Sequence, residues 1–196
     1  ASIEDLEYHQ GDFQVKGTRV GIGIFDLCSR QSGNSISVKR KKELTGRSWP
    51  NGCHVAEVEI DAETGEVRLD RYVSVDDVGN TVNPMIVHGQ VQGGIASGLG
   101  QAVLERTEYD ASGQLLSGSY MDYALPRADD MPSLSGSLFE KAPCLTNPLG
   151  AKGTGEIGAV AGPPAIVHAV IDALAEKGIT QVDMPLQPQK IWKCLN

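Results

Sequence analysis

One acid stands alone in a run of glycines. Residues 147–165 read Asn-Pro-Leu-Gly-Ala-Lys-Gly-Thr-Gly-Glu-Ile-Gly-Ala-Val-Ala-Gly-Pro-Pro-Ala, with five glycines and only two charges, Lys152 and Glu156, between Pro148 and Pro163. Glycine reaches φ > 0 freely and lets backbone approach a ligand, but ordering it is entropically expensive. A path so rich in glycine is kept for a purpose. A carboxylate held in it can act as a general base if shielding raises its pKa. Lys152 or a helix N-terminus would oppose that shift. Two readings stay open on these residues: Glu156 as a working carboxylate, and Glu156 as a solvated loop acid.

Other groups narrow the chemistry. Gln90 lies in His88-Gly89-Gln90-Val91-Gln92-Gly93-Gly94; its amide both donates and accepts, which suits either a polar cofactor or the wet face of a helix. Gly153-Thr154-Gly155-Glu156-Ile157-Gly158 matches GxGxxG in letters. A dinucleotide fingerprint, however, follows a buried strand and opens a helix at once. Here Thr146-Asn147-Pro148 precedes the glycines, and the helix is expected only after Pro163. Lys152 is not followed by the Ser or Thr of a Walker A motif. The four histidines and four cysteines are scattered without zinc-site spacing, so no metal ligands are assigned. GxSxG is absent. Asp76-Asp77 and Asp129-Asp130 read as caps and turns in loops.

With 40% hydrophobic and 21% charged residues the chain is globular. Seventeen basic residues against 25 acidic ones give a net charge of −8, which argues against nucleic acid and anionic membranes as partners. The basic run Lys39–Lys42 reads as a solvated linker. Isolated thiols fit a reducing compartment, the N-terminus has no signal-peptide pattern, and no apolar run approaches the ~20 residues of a membrane span. A cytoplasmic location is expected. The missing initiator Met points to a fragment or a processed chain.

These residues need a scaffold. Leu6–His9 and Phe13–Lys16 alternate about Gln10-Gly11-Asp12, a hairpin signal, and a short helix is expected over Ile22–Cys28. Residues 31–51 read as an exposed connector. His54–Ile60 and Glu66–Val75 form the strongest hairpin pattern, with a turn at Asp61–Gly65. Val87, Val91, Ile95, Leu99 and Val103 recur every four residues, predicting a helix over Met85–Glu105. Its five glycines each cost about 1 kcal/mol relative to Ala, so something must pack closely there. Strands are expected at Glu105–Tyr109, Gln114–Tyr123 and Leu134–Lys141. A second main helix is expected over Pro163–Lys177, with the two prolines in its first turn and Gly178 as its stop. A short terminal helix is expected over Gln189–Leu195. The fold class is α+β: antiparallel hairpins packed with two main helices.

Four motifs in order carry a family resemblance: Gly52-Cys53-His54-Val55-Ala56-Glu57-Val58-Glu59-Ile60-Asp61 with Thr64-Gly65; Val82-Asn83-Pro84 with Gly89-Gln90-Val91-Gln92-Gly93-Gly94 and Gly98-Leu99-Gly100-Gln101; Met121-Asp122-Tyr123-Ala124-Leu125-Pro126-Arg127; and Gly150-Ala151-Lys152-Gly153-Thr154-Gly155-Glu156. Together they closely resemble the xanthine dehydrogenase/aldehyde oxidase family of molybdenum hydroxylases, nearest the CO-dehydrogenase-type branch. The match is to the C-terminal part of the molybdopterin-binding large subunit. The resemblance implies residues 50–196 as a molybdopterin-binding portion, preceded by a hairpin, helix and linker at 1–49. It implies Glu156 as general base, Gln90 hydrogen-bonded to molybdopterin, and Lys152, Gly153 and Gly155 shaping the cofactor loop. The implied activity is water-derived hydroxylation or oxidation of an aldehyde, an N-heterocycle or CO. Electrons would leave to 2Fe-2S and FAD on partner subunits or absent domains, in an oligomer. Ser97 stands where many relatives carry Gln and is not assigned a contact. A complete subunit of this type is several times longer, so the chain is expected to be inactive alone. The alternative is a non-catalytic structural or assembly domain that completes a partner's cofactor site.

Overall fold

The computed structural model describes residues 1–41, 43 and 46–196. Lys42 of the basic run, and residues 42, 44 and 45 of the expected connector, lie outside the described residues. The chain divides into two units, Ala1–Glu43 and Leu44–Asn196.

In the first unit, strands β1 (Leu6–His9) and β2 (Asp12–Val15) form the expected antiparallel hairpin. Gln10 and Gly11 both take positive φ at its turn. β3 (Gly21–Gly23) adds to β2, and helix α1 (Ile24–Ser29) follows.

The second unit is built on β4 (Asn51–Ile60) and β5 (Val67–Asp77), paired antiparallel from Asn51↔Asp77 to Ile60↔Val67 with one irregularity at Glu57/Val58. Asp61 closes the turn by accepting from the Glu63 amide at 2.8 Å, and Gly65 supplies the positive φ that it needs. β6 (Leu134–Leu138) pairs with β5 in parallel, so the sheet is not made of hairpins alone. The expected strands at Glu105–Tyr109 and Gln114–Tyr123 do not form; only an isolated Tyr109↔Leu115 bridge is present. Alternation there has no buried face to serve: Tyr109, Leu116, Tyr120 and Met121 are exposed. The Asp110 carboxylate instead gathers the amides of Ser112 and Gln114 into a turn.

Helix α2 (Pro84–Leu99) is capped by the Asn83 side chain, which accepts from the Ile86 amide, and ends in a π-helical turn at Gly100–Leu104. Helix α3 runs over Ile157–Ala173, six residues earlier than expected, with Pro163 and Pro164 inside it. Interior prolines remove two main-chain donors and are unfavourable. Tertiary packing overrides that penalty: Pro163 lies against Gly98 of α2, where an added Cβ would meet its Cδ at 2.8 Å. Gly178 ends the segment in the left-handed region, and α4 (Pro188–Leu195) closes the chain.

The core lies between one face of the sheet and the two long helices, with Leu69 and Tyr72 against Val91, Ile95, Ile166 and Val170. The two helices meet along a seam of glycines. A Cβ on Gly94 would lie 2.8 Å from the Gly158 Cα, and one on Gly98 3.0 Å from the Gly162 Cα. Close packing therefore explains Gly94 and Gly98. Gly89 and Gly93 face nothing within 4 Å.

Candidate functional site

Glu156 occupies the N-cap position of α3. Its carbonyl accepts the first helical bond, from the Val160 amide at 2.9 Å, while its carboxylate makes no capping bond. The glycine run therefore does open a helix directly, which corrects the expectation that the helix waits for Pro163. No strand precedes it, only the single Gly79↔Ala151 bridge, so the dinucleotide reading still lacks its first element. Glu156 is exposed rather than shielded.

The loop before Glu156 is tied to the end of β5. The Asn80 amide donates to the Gly150 carbonyl at 2.9 Å, and the Lys152 amide donates to the Val78 carbonyl at 2.7 Å. Gly79 and Gly150 both take positive φ. A Cβ on Gly79 would collide with the Gly150 carbonyl, so glycine is required for this approach. Asn147 closes the other side, exchanging hydrogen bonds with the Ala151 main chain.

The two acids read as loop caps are instead buried at the end of β5. Asp76 Oδ1 lies 2.9 Å from His54 Nε2, and His54 Nδ1 lies 2.9 Å from the Tyr72 hydroxyl. Burial pushes the Tyr72 phenol well above its ordinary value, and the Asp76 charge adds to that. Asp77 Oδ2 accepts from Lys152 Nζ at 2.6 Å, and its Oδ1 accepts from the Gly79 amide at 2.9 Å. Burial alone would raise the Asp77 carboxyl, but these hydrogen bonds and the Lys152 charge outweigh it and hold the group below its ordinary value.

Two clefts flank the loop. The larger, about 570 Å³, contains Glu156, Gly153, His54, Trp49 and the first turns of α3. The smaller, about 370 Å³, contains Gln90, Lys152, Thr81 and the start of α2. Thr154 and Gly155 line both. The structure thus gathers the five expected residues around one loop, with Gln90 and Lys152 on one side and Glu156 and Gly153 on the other. Gln90 Oε1 would lie 3.7 Å from a Cβ on Gly155. Three residues at this site were not among the expected site residues: Thr154, His54 and Asp77. Thr154 Oγ1 is buried with no partner among the described residues. Those residues hold no cluster of three or more His, Cys, Asp or Glu able to bind a metal, and none of their helices is long and apolar enough to cross a membrane.

A family profile described as a molybdopterin cofactor-binding domain matches residues 1–132. The chain belongs to this family. It is 32% identical, over 98% of its length, to the gamma subunit of the 6-hydroxypseudooxynicotine dehydrogenase complex of Paenarthrobacter nicotinovorans, covering 25% of that protein. It is 38% identical, over 76% of its length, to the carbon monoxide dehydrogenase large chain of Hydrogenophaga pseudoflava, covering 18% of it. Among solved structures, quinoline 2-oxidoreductase from Pseudomonas putida 86 superposes with a TM-score of 0.86 at 33% identity, over 100% of this chain and 26% of that one. The chain spans about a quarter or less of these relatives' length. The α+β architecture of this molybdopterin cofactor-binding domain is therefore shared with quinoline 2-oxidoreductase.

Proposed function

We propose that the chain is the molybdopterin-binding portion of a molybdenum hydroxylase large subunit and that Glu156 is its general base. The observation that carries this is the free carboxylate at the head of α3. It stands in a cleft of about 570 Å³, which the Thr154 hydroxyl, buried with no partner among the described residues, also lines.

The residues fit the cofactor. A buried unpaired hydroxyl costs about 1–3 kcal/mol, and a polar ligand reaching Thr154 would relieve that cost. Gln90 is exposed and makes no hydrogen bond among the described residues, so both halves of its amide are free for a pterin edge. Gly153 has nothing within 4 Å of an added Cβ, leaving main chain open to a large ligand. In this reading Gln90, Gly153 and Gly155 contact the cofactor, and Lys152 holds the loop that presents it. The bound molybdenum centre would supply two-electron oxidation. With the cofactor bound, the Glu156 carboxylate would accept a proton at the head of α3.

The substrate is an aldehyde, an N-heterocycle or CO. Relatives named for CO, nicotine and quinoline support that range. Electron transfer to 2Fe-2S and FAD groups on partner subunits, a cytoplasmic oligomer, and inactivity of this segment alone belong to the same reading.

The test is Glu156→Gln in the complete enzyme. A general base contributes about 10²–10⁴-fold, so kcat should fall within that range with molybdenum content unchanged. Near-wild-type turnover at full molybdenum would overturn the assignment of the base.

A further inference from the structure

We propose that Asp77 is a positioning residue for Glu156, acting through Lys152; this rests on the reading of Glu156 above. The pair is nearly dry, with about a tenth of each side chain exposed (10% for Lys152 and 11% for Asp77). Both Asp77 oxygens are engaged, one by the Lys152 ammonium and one by the Gly79 amide. The main-chain rungs Lys152–Val78 and Asn80–Gly150 follow directly on from the ion pair. Lys152 is therefore held both by its backbone and by the end of its side chain.

Beyond Lys152 the next fixed point is α3. Gly158 is locked there against the backbone of Val91 and Gly94. Only residues 153–156 lie between Lys152 and the start of α3 at the buried Ile157. Two of those residues, Gly153 and Gly155, are exposed glycines, and the Thr154 hydroxyl has no partner among the described residues. A span that short, with glycine's freedom inside it, takes its path from its ends. Removing the Asp77 end lets the span wander, and Glu156 with it. Misplacement of a reacting group by about 1 Å can cost about a hundredfold in rate.

The ion pair also removes a competitor. With its ammonium committed to Asp77, Lys152 does not turn its charge toward the Glu156 carboxylate four residues away. Neutralising Asp77 would leave an unpaired buried cation next to the loop, which is strongly unfavourable and relieved by moving the lysine.

The experiment uses the complete, cofactor-loaded enzyme with Asp77→Asn, Lys152→Met and the double variant, reading steady-state kinetics, molybdenum content and amide hydrogen exchange of residues 153–157. The expected result is exchange faster by about tenfold or more in the loop. With it, kcat should fall between about tenfold and a hundredfold while KM and molybdenum stay near wild type. The double variant, which buries no unpaired charge, should be no worse than the poorer single variant because the two residues act as a unit. It also reports on the pin if a single variant fails to fold. Wild-type exchange in the loop of the double variant would overturn the proposal. So would loss of molybdopterin in Lys152→Met with wild-type exchange in the loop, which would make Lys152 a cofactor ligand rather than an anchor of the loop. Loop exchange does not depend on the chemical role of Glu156, so it separates failure of this inference from failure of the base assignment.

Discussion

Gly94 of α2 and Gly158 of α3 touch through their main chains: a Cβ added to Gly94 would sit 2.8 Å from the Gly158 Cα. A Cβ on Gly158 would in turn collide with the Val91 carbonyl and lie 2.6 Å from the Ile95 nitrogen. Neither neighbour is a flexible side chain that can step aside. Gly158→Ala should therefore destabilise the protein by about 1–3 kcal/mol or more, lowering Tm by about 2–4 °C for each kcal/mol. Gly89→Ala, on the open side of α2, should stabilise by about 0.5–1 kcal/mol. Thermal melts of the two variants should move in opposite directions; a matching loss in both would mean that the seam is not the cause.

His54 and Asp76 form the second test. Their side chains are 2% and 1% exposed, and His54 is the one described side chain hydrogen-bonded to the Asp76 carboxylate. His54→Ala strands that acid and should cost about 3 kcal/mol or more. Tyr72→Phe removes only the bond to His54 Nδ1 and should cost about 1 kcal/mol. Urea midpoints of both variants give the comparison, and equal losses would contradict it.

Acid stability follows from Asp77. Its carboxyl is held below the ordinary value of 3.8 in the folded chain, so the unfolded chain takes up the proton first as pH falls. The resulting stabilisation is complete above that ordinary value and fades as pH drops through the lower, folded one. Asp77→Asn should lower stability at neutral pH and flatten its decline below about pH 4. Unfolding curves from pH 7 to pH 2 would show this, and an unchanged acid slope would contradict it.

Gln90 should behave in the opposite way from these structural groups. Because it is exposed and unbonded among the described residues, Gln90→Ala should change stability by no more than about 0.5 kcal/mol. In the complete enzyme it should lower molybdopterin content. Full cofactor retention would remove Gln90 from the proposed site.

Much of this was legible beforehand because it depends on local pattern. The β4–β5 hairpin follows from strict alternation around Asp61–Gly65, and the α2 face from residues spaced by four. What could not be read depends on contacts distant in sequence. Pro163 looks like a first-turn residue, and its place inside α3 becomes intelligible only once Gly98 is opposite it. Asp76 and Asp77 look like loop acids until His54 and Lys152 arrive from 22 and 75 residues away. The 114–123 alternation misled for the converse reason: no partner strand or core face comes to meet it. At the site, Glu156 was visible through its glycine context, whereas Thr154 is marked only by a hydroxyl without a partner, which no sequence pattern encodes.

The α2–α3 seam also sets tolerances. Gln90 lies one helical turn before Gly94, and Glu156 lies two residues before Gly158. The spacing between amide and carboxylate is thus gauged by main chain pressed on main chain. Such a gauge has no rotamers, so a bulkier residue at the contact cannot be accommodated by turning a side chain aside.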